Sequence, residues 1–183
     1  YECSGMLSSD KPLRLWDFQS RTEINISEPL MTMLMNMLET HKGLYIPRSE
    51  TGGFPNGSIA AIAVMPDGKQ IIIAINAQNN PVIKIFDLNT GFEVNTLRGH
   101  ETPVTTLALT PDGQYLASAS FWDSQIKIWQ LNTYTEIFTL FGHNDFVTSV
   151  SITRDGHYLI STSKDTTLKV WNLLMRKEIA SFT

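Results

Sequence analysis

Three short signatures recur along this 183-residue chain at one spacing, and that recurrence limits the possible folds more than any other feature of the sequence. An Asp-Gly step stands at Pro66-Asp67-Gly68, Pro111-Asp112-Gly113 and Arg154-Asp155-Gly156, its Asp residues 45 and then 43 apart. An apolar-basic-apolar-aromatic run reads Leu13-Arg14-Leu15-Trp16, Ile83-Lys84-Ile85-Phe86, Ile126-Lys127-Ile128-Trp129 and Leu168-Lys169-Val170-Trp171. Glu23, Glu93, Glu136 and Glu178 each follow that aromatic by seven residues. Agreement of three independent registers marks a repeated supersecondary unit.

Within each unit, apolar residues alternate with period two between turn signals, the pattern of half-buried strands. The third unit reads as strands over Val104 to Leu109, Tyr115 to Ser120, Gln125 to Leu131 and Glu136 to Phe141. Pro fixes φ and Gly accepts a positive φ, so the Pro-Asp-Gly step joins the first strand to the second. About 43 residues in four antiparallel strands is the size of one propeller blade.

The residues then resemble those of the WD-repeat β-propellers. The likeness lies in Gly99-His100 with Val104, Leu116-Ala117-Ser118 and Asp123 to Trp129, and again in Gly142-His143, Val147, Leu159-Ile160-Ser161 and Asp165 to Trp171. The expected fold is all-β, a partial WD-repeat β-propeller with an incomplete first blade and three complete four-stranded blades. The expected boundaries are a blade remnant over 1–27, an inserted helix/loop segment over 28–57, and blades over 58–97, 98–140 and 141–183, within a single domain. The resemblance implies two buried hydrogen-bonded tetrads, His100, Ser118, Asp123 and Trp129 in one blade and His143, Ser161, Asp165 and Trp171 in the next. A buried Asp needs donors and a buried indole N–H needs an acceptor, which the His ring and the Ser hydroxyl can supply. The 58–97 blade departs from the pattern. It lacks Gly-His, carries Phe86 for Trp and Asn80 for Asp, and so should have a poor polar network.

Ser, His and Asp in one place also suit a hydrolase triad, which geometry rather than chain order defines. The same set occurs twice at repeat spacing, however, and an enzyme gains little by copying its nucleophile into successive blades. No catalytic residue is assigned. A propeller enzyme would need acidic or His residues converging on the channel, and the inner strands Ile59 to Val64, Val104 to Leu109 and Val147 to Ile152 offer only Ala, Thr, Ser and apolar residues. His41 and His157 stand apart from other ligand types, so neither a metal nor a cofactor is expected. Thr51-Gly52-Gly53 lacks the Lys-Ser/Thr that a phosphate loop requires.

Charge and composition bound the partners. Fourteen Lys and Arg against eighteen Asp and Glu give a net charge of −4 without any basic run, which argues against nucleic acid. The longest apolar run, Ile59 to Met65, is too short to span a bilayer, so no membrane partner is expected. A single cysteine, Cys3, cannot form an internal disulfide and suits a reducing, cytoplasmic compartment.

Proteins or peptides are therefore the expected partners, and the chain reads as a non-enzymatic interaction scaffold. An alternative is a C-terminal sensory repeat module of a larger signalling ATPase or kinase. The rim formed by the loops that carry Asp123 and Asp165 supplies the candidate contacts: Asn79, Thr102, Phe121, Trp122, Asp145, Phe146 and Lys164. The third blade has one residue more than the fourth in this hairpin, so that Phe121-Trp122 precede Asp123. These aromatics read equally as an interface anchor or as core folded over the neighbouring hairpin. A short helix after Ser27-Glu28-Pro29 is expected in the insertion, its methionines either packing on the propeller edge or offering an adaptable docking face. Closure protects the faces and edges of a propeller. An arc of three and three-quarter blades is thus expected to need the missing blades of the same full-length chain, or else to self-associate.

Overall fold

The computed structural model describes residues 15–17, 22–24, 58–77 and 80–183. The expected helix and methionines of the insertion, most of the blade remnant expected over 1–27, and Asn79 lie outside them. Leu15–Asp17 (β1) and Thr22–Ile24 (β2) pair antiparallel. Three four-stranded antiparallel sheets follow, each a meander in chain order. The first comprises Ser58–Val64 (β3), Gln70–Ala77 (β4), Asn80–Asp87 (β5) and Glu93–Leu97 (β6). The second comprises Val104–Leu109 (β7), Tyr115–Ser120 (β8), Ile126–Gln130 (β9) and Thr135–Leu140 (β10). The third comprises Val147–Ile152 (β11), Tyr158–Ser163 (β12), Leu168–Asn172 (β13) and Lys177–Phe182 (β14). The described elements are all β, and these sheets are propeller blades two, three and four. β7 lies against both β3 and β11, so the first strand of each blade lines the inner side of the arc.

The turn chemistry follows the sequence closely. Gly68, Gly113 and Gly156 sit at φ 70°, 69° and 74°, a region that glycine enters without steric cost. The preceding Asp tightens each turn. Asp112 Oδ1 accepts the Gln114 N–H at 3.0 Å and the Thr110 hydroxyl at 2.6 Å, and Asp155 accepts the His157 N–H at 3.0 Å.

The core lies between blades rather than inside one sheet. Ile72, Ala74, Ile83, Ile85 and Leu97 of blade two pack with Val104, Leu116, Trp129 and Leu131 of blade three. Ala117, Ala119, Ile126, Ile128 and Leu140 of blade three pack with Val147, Val150, Leu159 and Trp171 of blade four. Blade three is packed on both faces, and its middle strands β8 and β9 are accordingly buried on both sides. Each inner strand carries a register shift near its start, and each outer pairing carries another beside or just after the aromatic position. Such bulges increase the local twist.

A buried amide joins blades two and three. Asn76, 3% exposed, donates from Nδ2 to the Val104 carbonyl at 3.0 Å and accepts the Val104 N–H at 2.9 Å. The start of β7 therefore finds its backbone partners on the neighbouring blade. Asn76→Ala should leave both Val104 groups buried and unpaired, at a cost of about 1–3 kcal/mol. Amide hydrogen exchange would register this as faster exchange at Val104 than elsewhere in β7, whereas uniform protection along β7 would mean that the amide is dispensable.

A candidate interaction site on a buried polar frame

In blade four the four expected residues form one continuous network. Trp171 Nε1 donates to Ser161 Oγ at 2.8 Å, Ser161 Oγ lies 2.7 Å from His143 Nε2, and His143 Nδ1 lies 2.9 Å from Asp165 Oδ2. One assignment satisfies every atom: the serine hydroxyl donates to Nε2, and Nδ1–H donates to the carboxylate. The carboxylate gains further donors from the Asn144 N–H at 2.9 Å, the Thr167 N–H at 2.9 Å and the Thr167 hydroxyl at 2.6 Å. Burial by itself would raise the Asp165 pKa, since this side chain is only 6% exposed. The Thr167 hydroxyl, the Asn144 N–H and His143 outweigh that effect and hold it well below its ordinary value of 3.8.

Blade three keeps half of this chain. Trp129 Nε1 donates to Ser118 Oγ at 2.7 Å and His100 Nε2 lies 2.6 Å from the same oxygen. Asp123 departs from the expected tetrad. Its Oδ2 stands 3.6 Å from His100 Nδ1, beyond hydrogen-bond reach, and Nδ1 is buried without a partner. Two local differences account for this. The extra residue in the β8–β9 hairpin displaces the carboxylate, and Gln125 stands where blade four has Thr167, so the bridging hydroxyl is lost. Burial raises the Asp123 pKa, but His100, Ser120 and the Gln125 N–H together lower it.

In blade two the positions of Ser and Trp are taken by Ile73 and Phe86, both essentially buried. Register fixes the equivalence, because Ile71 faces Phe86 as Leu116 faces Trp129 and Leu159 faces Trp171. Removing the indole N–H and its acceptor together leaves no orphaned polar group. Ile71, Ile73, Ile75, Val82, Phe86 and Leu88 close into an apolar cluster instead.

The remaining sequence periodicities also find physical roles. Gly99 and Gly142 adopt φ 152° and 155°, and a Cβ there would lie 3.1 Å and 3.0 Å from Cη2 of Trp129 and Trp171. The glycine lets the backbone close over the indole. The recurring Lys and Glu are partners: Lys84 with Glu93, Lys127 with Glu136 at 2.9 Å and Lys169 with Glu178 at 2.9 Å.

Above this frame, the hairpin ends of blades three and four carry a small aromatic cluster. Phe121 is half-buried and stacks on Phe146, with centroids 4.3 Å apart and planes inclined by 25°. Trp122 meets Phe121 edge-on at 4.7 Å and stays 67% exposed. The Lys164 ammonium lies 5.0 Å from the centre of the Phe146 ring. Asp145 is exposed and accepts the Phe146 N–H at 2.8 Å. Thr102 braces the loop, donating to Ser120 Oγ at 3.0 Å and accepting the Trp122 N–H at 3.3 Å. The two aromatics differ in setting: Phe121 packs on Phe146 of the β10–β11 connection, and Trp122 faces solvent. Thr167, Asn76 and the Lys-Glu pairing escaped the sequence reading. A signal existed for the first, a hydroxyl residue two places after Asp165.

Four-stranded blades pinned by His-Ser-Trp links under a Gly-His turn define the class: these are WD repeats of a β-propeller. The family described as WD domain, G-beta repeat matches residues 91–130 and 134–172, so these two stretches carry WD repeats. It is 32% identical over 125 residues to the nuclear distribution protein PAC1 of Arthroderma otae, covering 65% of this chain and 23% of that protein. Over 66 residues it is 39% identical to the periodic tryptophan protein 2 homolog of Neurospora crassa, covering 36% of this chain and 7% of that protein. Among solved structures it is similar to the RRP9 WD40 repeats and to U3-55K. Each has a TM-score of 0.64 and 30% identity, and the match covers 69% of this chain and 38% or 39% of the other. The chain spans about a quarter of the length of the PAC1 relatives.

Proposed function

We propose that the chain is a non-catalytic protein-interaction scaffold whose binding face is the hairpin rim of blades three and four. The observation that carries this reading is the exposed Trp122, set edge-on against Phe121, which itself stacks on Phe146. Exposed aromatics braced by neighbours lose little freedom on binding and dominate interface energies. The Ser-His-Asp sets do not compete as a reactive centre, because Ser161 and Ser118 are 1% and 0% exposed and each already accepts an indole N–H. A cytoplasmic setting belongs to the same proposal and rests on the single Cys3.

Trp122→Ala should weaken a protein partner by roughly 2 kcal/mol, about thirtyfold, with the melting temperature unchanged. The test is affinity capture with wild type and variant in parallel, followed by titration of each specifically recovered protein. Equal dissociation constants for every partner would remove Trp122 from the interface.

A further inference from the structure

The turn between β13 and β14 breaks the pattern of its own repeat. The corresponding positions are Asn89-Thr90-Gly91 in blade two and Asn132-Thr133-Tyr134 in blade three, but Leu174-Met175-Arg176 in blade four. In the first two blades the threonine serves the turn, Thr90 bonding Asp87 Oδ1 at 3.0 Å and Thr133 lying 2.8 Å from the Thr135 hydroxyl. In blade four the backbone is kept, because the Met175 N–H reaches Asn172 Oδ1 at 2.8 Å as the Thr90 N–H reaches Asp87 Oδ1. Only the side chains have changed, and they face water: Leu174 is 88% exposed and Met175 62%. Nothing in the turn geometry requires them to be apolar.

Leu174 and Arg176 form the lip of a groove of about 230 Å³ between blades three and four, lined further by Ile128, Ile137, Phe138, His157 and Leu173, and Met175 stands between them in the same turn. The Leu173 N–H bonds the His157 carbonyl at 3.0 Å, which fixes the two flanking turns against each other. A groove of that size takes an aromatic ring, since a cavity of roughly 150 Å³ holds benzene. The Arg176 guanidinium lies over Phe138, 4.8 Å from its centre, and no carboxylate among the described residues pairs with it. The matching groove between blades two and three, also about 230 Å³, has the neutral Tyr134 in the place of Arg176. The two turns beside the blade-four groove, 153–157 and 173–177, hold Arg154, Arg176 and Lys177 against one acid, Asp155, in a chain of net charge −4. Asp155 already serves its own turn, accepting the His157 N–H at 3.0 Å.

We propose that this groove and its Leu174–Arg176 lip form a docking site for an acidic peptide segment that inserts one aromatic side chain between blades three and four. The ring would replace water against Ile128, Phe138 and Leu173, and flanking carboxylates would meet Arg176 and its cationic neighbours. The site is separate from the Trp122 rim.

The test is titration of the isotope-labelled chain with acetyl-Glu-Glu-Phe-Glu-Glu-amide, followed by amide chemical shifts. The expected result is saturable shifts confined to 153–157 and 173–177 and the adjoining strands. Arg176→Asn, whose asparagine tolerates the left-handed φ of 54°, should weaken binding at least tenfold, as should Leu174→Asn with Met175→Thr, which restores the polar pair of the other blades. Peptides with Ala for Phe, or Lys for Glu, should not bind, and Trp122→Ala should bind like wild type. Absence of saturable shifts at these turns, shifts centred elsewhere, or equal binding by the Lys peptide or by the variants would overturn the proposal. Loss of binding on Trp122→Ala would place the peptide on the rim instead.

Discussion

Trp171→Ala is expected to lower the stability of the chain by about 3–5 kcal/mol, the range for truncating a buried large aromatic. Trp171 is 2% exposed and sits in the cluster that joins blades three and four, so the cavity would open between blades rather than at an edge. The indole also donates to Ser161 Oγ, which ties the loss of packing to the polar chain behind it. Trp171→Phe should recover most of the packing but leave the serine without its donor, and should therefore cost less than alanine yet more than nothing. Pairing it with Ser161→Ile copies the Phe86 and Ile73 arrangement of blade two and should lose less than the two single costs added. Denaturant melts of the four proteins measure this. Strict additivity would mean that the hydroxyl and the indole act independently.

The second large effect is electrostatic. Asp165→Ala should cost about 1–3 kcal/mol at neutral pH, because it strands the buried His143 Nδ1 and takes the shared acceptor from the donors of Asn144 and Thr167. Asp123→Ala should cost less, since His100 already stands 3.6 Å away and a single backbone N–H, that of Gln125, reaches the carboxylate. The sign of the pH dependence follows from the lowered pKa of Asp165. A carboxyl held below its unfolded value of 3.8 contributes stability that is fully present above that value and disappears as pH falls through the folded one. The gap between wild type and Asp165→Ala should thus be constant from pH 7 to about pH 5 and shrink on acidification below about pH 4. A gap that widened in acid would contradict the network.

Much of this architecture was legible because repetition supplies its own controls. Val104–Leu109, Tyr115–Ser120 and Val147–Ile152 have the ends that alternation predicts, while the third and fourth strands of blade three differ from expectation by one residue at each end. Outer strands blur because one face is solvated and register shifts by a residue beside Trp129 and Trp171. A bulge has no compositional signature. The tetrad residues could be named, but not the looseness of blade three, which arises from a one-residue hairpin insertion together with Gln125 for Thr167. Asn76 was invisible for a different reason. Its partners are the backbone groups of Val104, which carry no sequence signal. At the rim, composition left Phe121 and Trp122 interchangeable, and only the hairpin geometry, which places one ring on Phe146 and the other in water, separates them.

The central claim is that the His-Ser-Trp links of blades three and four, extended by Asp165 in blade four, brace the blades and do no chemistry, leaving the surface to bind. The most direct measurement treats wild type and Ser161→Ala in parallel with a serine-reactive fluorophosphonate and records their thermal unfolding. Structural glue predicts no labelling of Ser161 in the folded protein and a variant destabilised by about 1–3 kcal/mol, because His143 and Trp171 lose their shared partner. Stoichiometric labelling at Ser161 together with an unchanged melting temperature for Ser161→Ala would contradict it.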